Sequence, residues 1–138
     1  MPAIQKFEDL RVWKEARSIS KWFWQVVEST DLKNDFKLRG QADGSIGSVM
    51  DNIAEGFERN GRREFIQFLS IAKGSSGEFR SQLYRLFDRG YIDKEVFEEK
   101  LQQLEALSKS LSSFINYLKQ SENKGWKFEE EAETYTKP

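Results

Sequence analysis

Apolar residues that recur every three or four positions constrain this chain more than anything else in it. Phe97, Leu101, Leu104, Ser108, Leu111, Ile115 and Leu118 step by four and three without a break, the spacing of one face of an α-helix. Three earlier segments carry the same rhythm. Trp13, Ala16, Ser20, Phe23 and Val27, with Leu10 and Trp24 beside them, mark a first helix. Ala42, Ile46, Val49, Ile53 and Phe57 mark a second, after the polar run Thr30 to Phe36. Phe65, Phe68, Ala72, Ser75, Phe79, Leu83 and Leu86 mark a third, entered through the turn dipeptide Asn60-Gly61 and left through "DRGYID", where Asp93 is placed to cap the fourth. No period-two strand pattern competes. Four amphipathic helices on short connections can bury their stripes together only as a bundle. The chain is therefore expected to be all-α, an antiparallel up-down-up-down four-helix bundle over residues 1–118, followed by an acidic, flexible tail over 119–138. Trp126, Phe128 and Tyr135 in that tail are candidates to dock on the bundle.

Composition narrows the chemistry. The 138 residues include no cysteine and no histidine. This excludes a disulfide framework, thiolate ligands, a cysteine nucleophile and every site built on imidazole. No apolar run is long enough for a membrane span or a secretory leader, so a cytoplasmic protein is expected. The net charge of −1 argues against a uniformly basic nucleic-acid binder, although charge can be segregated.

The stretch "SVMDNIAEGFERNGRREF", Ser48 to Phe65, looks the most chemical. Its polar residues keep helical phase: Gln41, Ser45, Ser48, Asn52 and Glu55 recur at four-three-four-three, one residue behind the apolar stripe of the second helix. One reading is a border of small hydrogen-bonding side chains along the core, with Glu55 facing the start of the third helix. Another makes Asp51, Glu55 and Glu58 a carboxylate metal site, although hard cations usually require six or more oxygens.

Gly40, Gly44 and Gly47 in the second helix and Gly74 and Gly77 in the third are unexpected inside helices. In an antiparallel pair turning at Asn60-Gly61, Gly44 falls level with Gly77 and Gly47 with Gly74, nearly opposite the apolar stripes. Either another subunit approaches there or the glycines are tolerated exposure. On the first helix, Ile19, Trp22 and Val26 form an apolar row opposite the expected core face. Such a row suits a subunit interface, unless the tail covers it or the monomer buries it. These seven residues, Ile19, Trp22, Val26, Gly44, Gly47, Gly74 and Gly77, are the expected homo-oligomer contacts.

Basic residues supply the remaining candidates. Lys14, Arg17 and Lys21 share a stripe on the first helix, and Arg59, Arg62 and Arg63 cluster at the second turn, with Arg80, Arg85 and Arg89 further on. They could hold phosphates, with affinity falling as salt rises, or pair with the interspersed glutamates on a solvated surface. No aromatic stacking platform is evident in these segments.

The blocks "FEDLRVWKEA" (Phe7 to Ala16), "NIAEG" (Asn52 to Gly56), "EFIQFLSIAKGSSGE" (Glu64 to Glu78) and "RGYI" (Arg89 to Ile92), in that order, resemble the four-helix-bundle proteins encoded in intervening sequences of 23S ribosomal RNA genes. The likeness runs from about Phe7 to Leu118. Relatives of that family include retroelement accessory proteins, which assemble as pentamers and bind a reverse transcriptase and nucleic acid through a basic surface. The resemblance therefore implies a helical bundle and a self-associating partner of RNA or of a nucleic-acid enzyme. We read the chain as a non-catalytic, homo-oligomeric binding or scaffold protein without a cofactor; a small carboxylate-dependent metalloenzyme is the alternative.

Overall fold

The computed structural model describes residues 4–121. A 3-10 turn at Phe7–Asp9 leads into α1 (Arg11–Ser29), and a second 3-10 turn at Asp31–Asn34 leads into α2 (Phe36–Glu58). Then follow α3 (Arg62–Asp88) and α4 (Lys94–Gln120). The expected tail lies outside the described residues, apart from the last residues of α4.

Each connection is set by local chemistry. The Thr30 hydroxyl accepts from the Leu32 amide at 3.1 Å, which starts the turn after α1. Asn60 takes a left-handed conformation (φ 61°) between α2 and α3, as its side chain tolerates better than most. Gly90 (φ 78°) turns the chain out of α3, and the Asp93 carboxylate accepts from the Val96 amide at 2.8 Å to cap α4.

Cross-helix pairs give the directions. Along α2 and α3, Gln41 meets Arg85, Ser45 meets Gln82, Ser48 meets Ser75 and Phe57 meets Phe65. Numbers rise on one helix as they fall on the other, so the two run antiparallel. Phe87 with Phe97 and Phe65 with Phe114 show the same for α3 and α4. Arg11 with Ser110 and Lys100 with Trp22 show it for α4 and α1. The topology is up-down-up-down.

Most of the stripes of α2, α3 and α4 bury as the periodicity predicts, Ile46, Val49, Ile53, Phe79, Leu83, Leu104 and Leu111 being inaccessible to solvent, but Phe68, Leu101 and Ser108 are half-buried and Leu69, Leu107 and Phe114 take core places. Helix α1 differs. Its buried face is Val12, Ala16, Ile19, Phe23, Val26 and Val27, while Trp13 and Ser20 sit at the border. The expected outward row of Ile19, Trp22 and Val26 is thus corrected: Ile19 is 2% and Val26 8% exposed. Ala16, Phe23 and Val27 of the expected stripe stay buried, so the face is turned by about half of the ~100° that one residue spans. At that level β-branched Val12, Ile19 and Val26 form a purely hydrocarbon seam, whereas the alternative would bury the Ser20 hydroxyl and the indole of Trp13. Trp24, expected beside the core, is 45% exposed as a result.

The glycines divide in the same way. A Cβ on Gly56 would lie 2.6 Å from the Cβ of Phe68, so Gly56 is where α2 and α3 need close approach. Among the described residues nothing lies within 4 Å of the Cβ position of Gly44, Gly47, Gly74 or Gly77, consistent with their phase opposite the core.

Candidate nucleic-acid interface

The α2 border is a hydrogen-bonded seam against α3. The Ser45 hydroxyl bonds to Gln82 Oε1, both residues being buried. Ser48 and Ser75 share a bond of 2.8 Å, and the Asn52 amide donates to the Ser48 carbonyl and hydroxyl at 2.8 and 2.9 Å. Arg85 Nη2 donates to Gln41 Oε1 at 3.3 Å. These polar groups satisfy one another, as buried or half-buried ones must. Glu55 does not reach the start of α3; its Oε2 pairs with Arg59 Nη2 at 2.9 Å within its own helix.

On the outer side of that seam Asp43, Gly44, Gly47, Ser48, Asp51, Asn52 and Glu55 line an open groove of about 500 Å³. Glu58 is not part of it. Among the described residues no group of three or more carboxylates is placed to hold a metal ion.

The six basic candidates separate into two sets. Arg59 is engaged by Glu55 and lies over the Phe68 ring at 5.2 Å. Arg62 Nη1 donates to the Leu118 carbonyl at 3.0 Å, capping the end of α4. Arg63 is exposed near them. Arg85 and Arg89 are likewise engaged, Arg89 by Asp35 at 2.7 Å. At this turn Arg59 and Arg62 are engaged by the protein's own groups and Arg63 is exposed.

Lys14, Arg17 and Lys21 behave differently. With Ser18, Trp22 and Gln25 of α1 and Lys100 of α4, they line an open groove of about 460 Å³. No carboxylate lines it among the described residues. Arg17 lies 5.7 Å from the Trp13 ring centre, and Lys14 and Lys21 make no ion pair among the described residues. Trp22 forms part of the wall. Trp24 lies three residues beyond Lys21, so Lys14, Arg17, Lys21 and Trp24 share one exposed face of α1 at three-four-three spacing. An aromatic platform beside the cations, not evident from the sequence, is therefore present. Two signals could have revealed it: Trp24 keeps phase with the lysines, and Lys100 falls level with Trp22 once α1 and α4 are set antiparallel.

The groove can attract and hold an anionic chain. Four cations around a concave wall focus positive potential, and neighbouring indoles can stack on bases or sugars. Among the described residues no helix is long and apolar enough to cross a membrane.

Comparison with known proteins places the architecture. No curated protein matches the chain. A crystal structure of a protein of unknown function from the S23 ribosomal protein family of Bacteroides thetaiotaomicron has the same fold, with a TM-score of 0.68 at 24% identity over 75% of this chain and 97% of that one. The model of the 23S rRNA-intervening sequence protein family matches residues 8–113, most of the bundle, and the chain belongs to that family.

Proposed function

We propose that this protein is a non-catalytic cytoplasmic binding protein that holds structured RNA along the α1 and α4 basic groove. The observation that carries the reading is the cluster of Lys14, Arg17, Lys21 and Lys100 around Trp22, in which Lys100 is paired with Glu99 at 3.4 Å while no carboxylate lines the groove itself among the described residues. The overall charge of −1 does not oppose it, because the acidic residues Asp43, Asp51 and Glu55 line a different groove, on α2. A fluorescent RNA stem-loop titrated across a salt series tests the reading. Four phosphate contacts should give a log–log salt slope of about −3, and the triple substitution Lys14→Ala, Arg17→Ala, Lys21→Ala should flatten it. Absence of binding at low salt would end the proposal.

Self-association is the second reading, favoured by the open Cβ positions of Gly44, Gly47, Gly74 and Gly77 and by Ile71, 51% exposed on α3. With Ile19 and Val26 in the core, the contacts proposed between copies move from α1 to this outer face of α2 and α3. The number of copies, five in the retroelement relatives, is read by light scattering; a monomer at high micromolar concentration would remove this reading.

A further inference from the structure

Beside the basic groove, and sharing Ser18 with it, a narrower cleft of about 220 Å³ runs into the seam between α1 and α4. Ile19 and Ala106 supply apolar walls, and Glu15 and Gln103 supply the polar groups. This volume is below the range of cavities that take a drug-sized ligand, a scale suited to one flat ring. Glu15 carries the decisive atom. Its Oε2 accepts from Arg11 at 3.3 Å, whereas Oε1, turned away from solvent in a side chain that is itself about one-third exposed, has no hydrogen-bond partner among the described residues. The soft last torsion of a glutamate lets this oxygen turn toward a donor entering the cleft.

Resting on the reading of the groove as an RNA site, we propose that this cleft receives an unpaired base by its amino-bearing edge. Glu15 is the acceptor and the phosphates lie on Lys14, Arg17 and Lys21. A carboxylate accepts well from the exocyclic amino group of cytosine. Uracil has a carbonyl in that place, so it could meet the carboxylate only by shifting its N3–H onto it, which brings the O4 acceptor alongside. Duplex RNA keeps these edges paired, whereas loops and single strands offer them. The groove therefore supplies affinity, and the cleft chooses unpaired, amino-bearing bases.

Octamers of oligocytidylate and oligouridylate, titrated against the full-length protein by fluorescence anisotropy, test this directly. The expected result is a preference for oligocytidylate on the order of tenfold, as for one good base contact. Glu15→Met, which removes the acceptor and keeps a helix-compatible stem, should weaken oligocytidylate and leave oligouridylate unchanged or tighter. A thermal melt confirms that the variant folds, since the Arg11 pair it breaks is about one-third exposed on both sides. If Glu15→Met tightens both octamers alike, the carboxylate acts only by repelling phosphate and the base pocket is overturned. Equal affinity for both octamers in the unaltered protein overturns it too. In either case the RNA reading survives if Lys21→Glu still abolishes binding. If neither octamer nor a stem-loop binds at low salt, both readings fall.

Discussion

Lys100 of α4 holds its ammonium 5.0 Å from the centre of the Trp22 ring on α1. The contact joins helices that are far apart in sequence. Lys100 also pairs with Glu99 at 3.4 Å, and its side chain is only 12% exposed, so its methylene stem covers the seam while its charge faces the groove. Lys100→Met keeps the stem and removes the charge. The expected outcome is a melting temperature close to that of the unaltered protein, with a salt slope for RNA binding reduced by about 1. An unchanged slope would take Lys100 out of the site.

Trp24 provides an independent check on the face it shares with Lys14, Arg17 and Lys21. Exposed substitutions away from special features usually change stability by no more than about 0.5 kcal/mol, so Trp24→Ala should melt normally. Base stacking on an aromatic ring contributes about 1–3 kcal/mol. Affinity for single-stranded RNA should therefore fall roughly five- to 150-fold, and tryptophan quenching on binding should shrink.

Ile19 reports the rotation of α1. A core isoleucine cut back to alanine costs about 2–5 kcal/mol, whereas the same change on an outward face costs little. Chemical denaturation of Ile19→Ala should show the larger loss. A loss under about 0.5 kcal/mol would return Ile19 to the surface.

Two glycines should respond with opposite signs. Gly56→Ala drives a methyl group into Phe68 and should destabilise by about 1–3 kcal/mol through overpacking. Gly74→Ala meets open space and should stabilise the monomer by up to about 1 kcal/mol through helix propensity. If copies pack on this face, Gly74→Ala should at the same time weaken their assembly, as light scattering reads.

Asp35 ties the start of α2 to the turn before α4, accepting from Tyr91 at 2.8 Å and Arg89 at 2.7 Å. The Tyr91 hydroxyl, then the Arg89 guanidinium, hold its carboxyl below the usual carboxylate range. With a folded value below the unfolded one, the stabilisation is present above about pH 4 and fades as pH falls through the folded value. Asp35→Asn should therefore lower stability at neutral pH and flatten the acid limb of a stability–pH curve. The same carboxylate raises the Tyr91 pKa above 10.0, so this pair's contribution below pH 10 should be lost as alkali ionises the phenol.

What the sequence determined by itself is the set of four helices and their turns, because helical phase and capping are local. The stripes of α2, α3 and α4, the Asn60-Gly61 turn and the Asp93 cap are legible without knowing what packs where. The Ser48 and Asn52 border was legible for the same reason, being one residue out of phase with the core. Which face of α1 turns inward was not, since two stripes one residue apart are both apolar, and only packing against α2, α3 and α4 chose Ile19 over Ser20. The same choice turned Trp24 outward and brought Lys100 to Trp22. A groove is a relation between helices distant in sequence, so tertiary structure alone decided which cations gather around it and which, like Arg59 and Arg62, are occupied elsewhere.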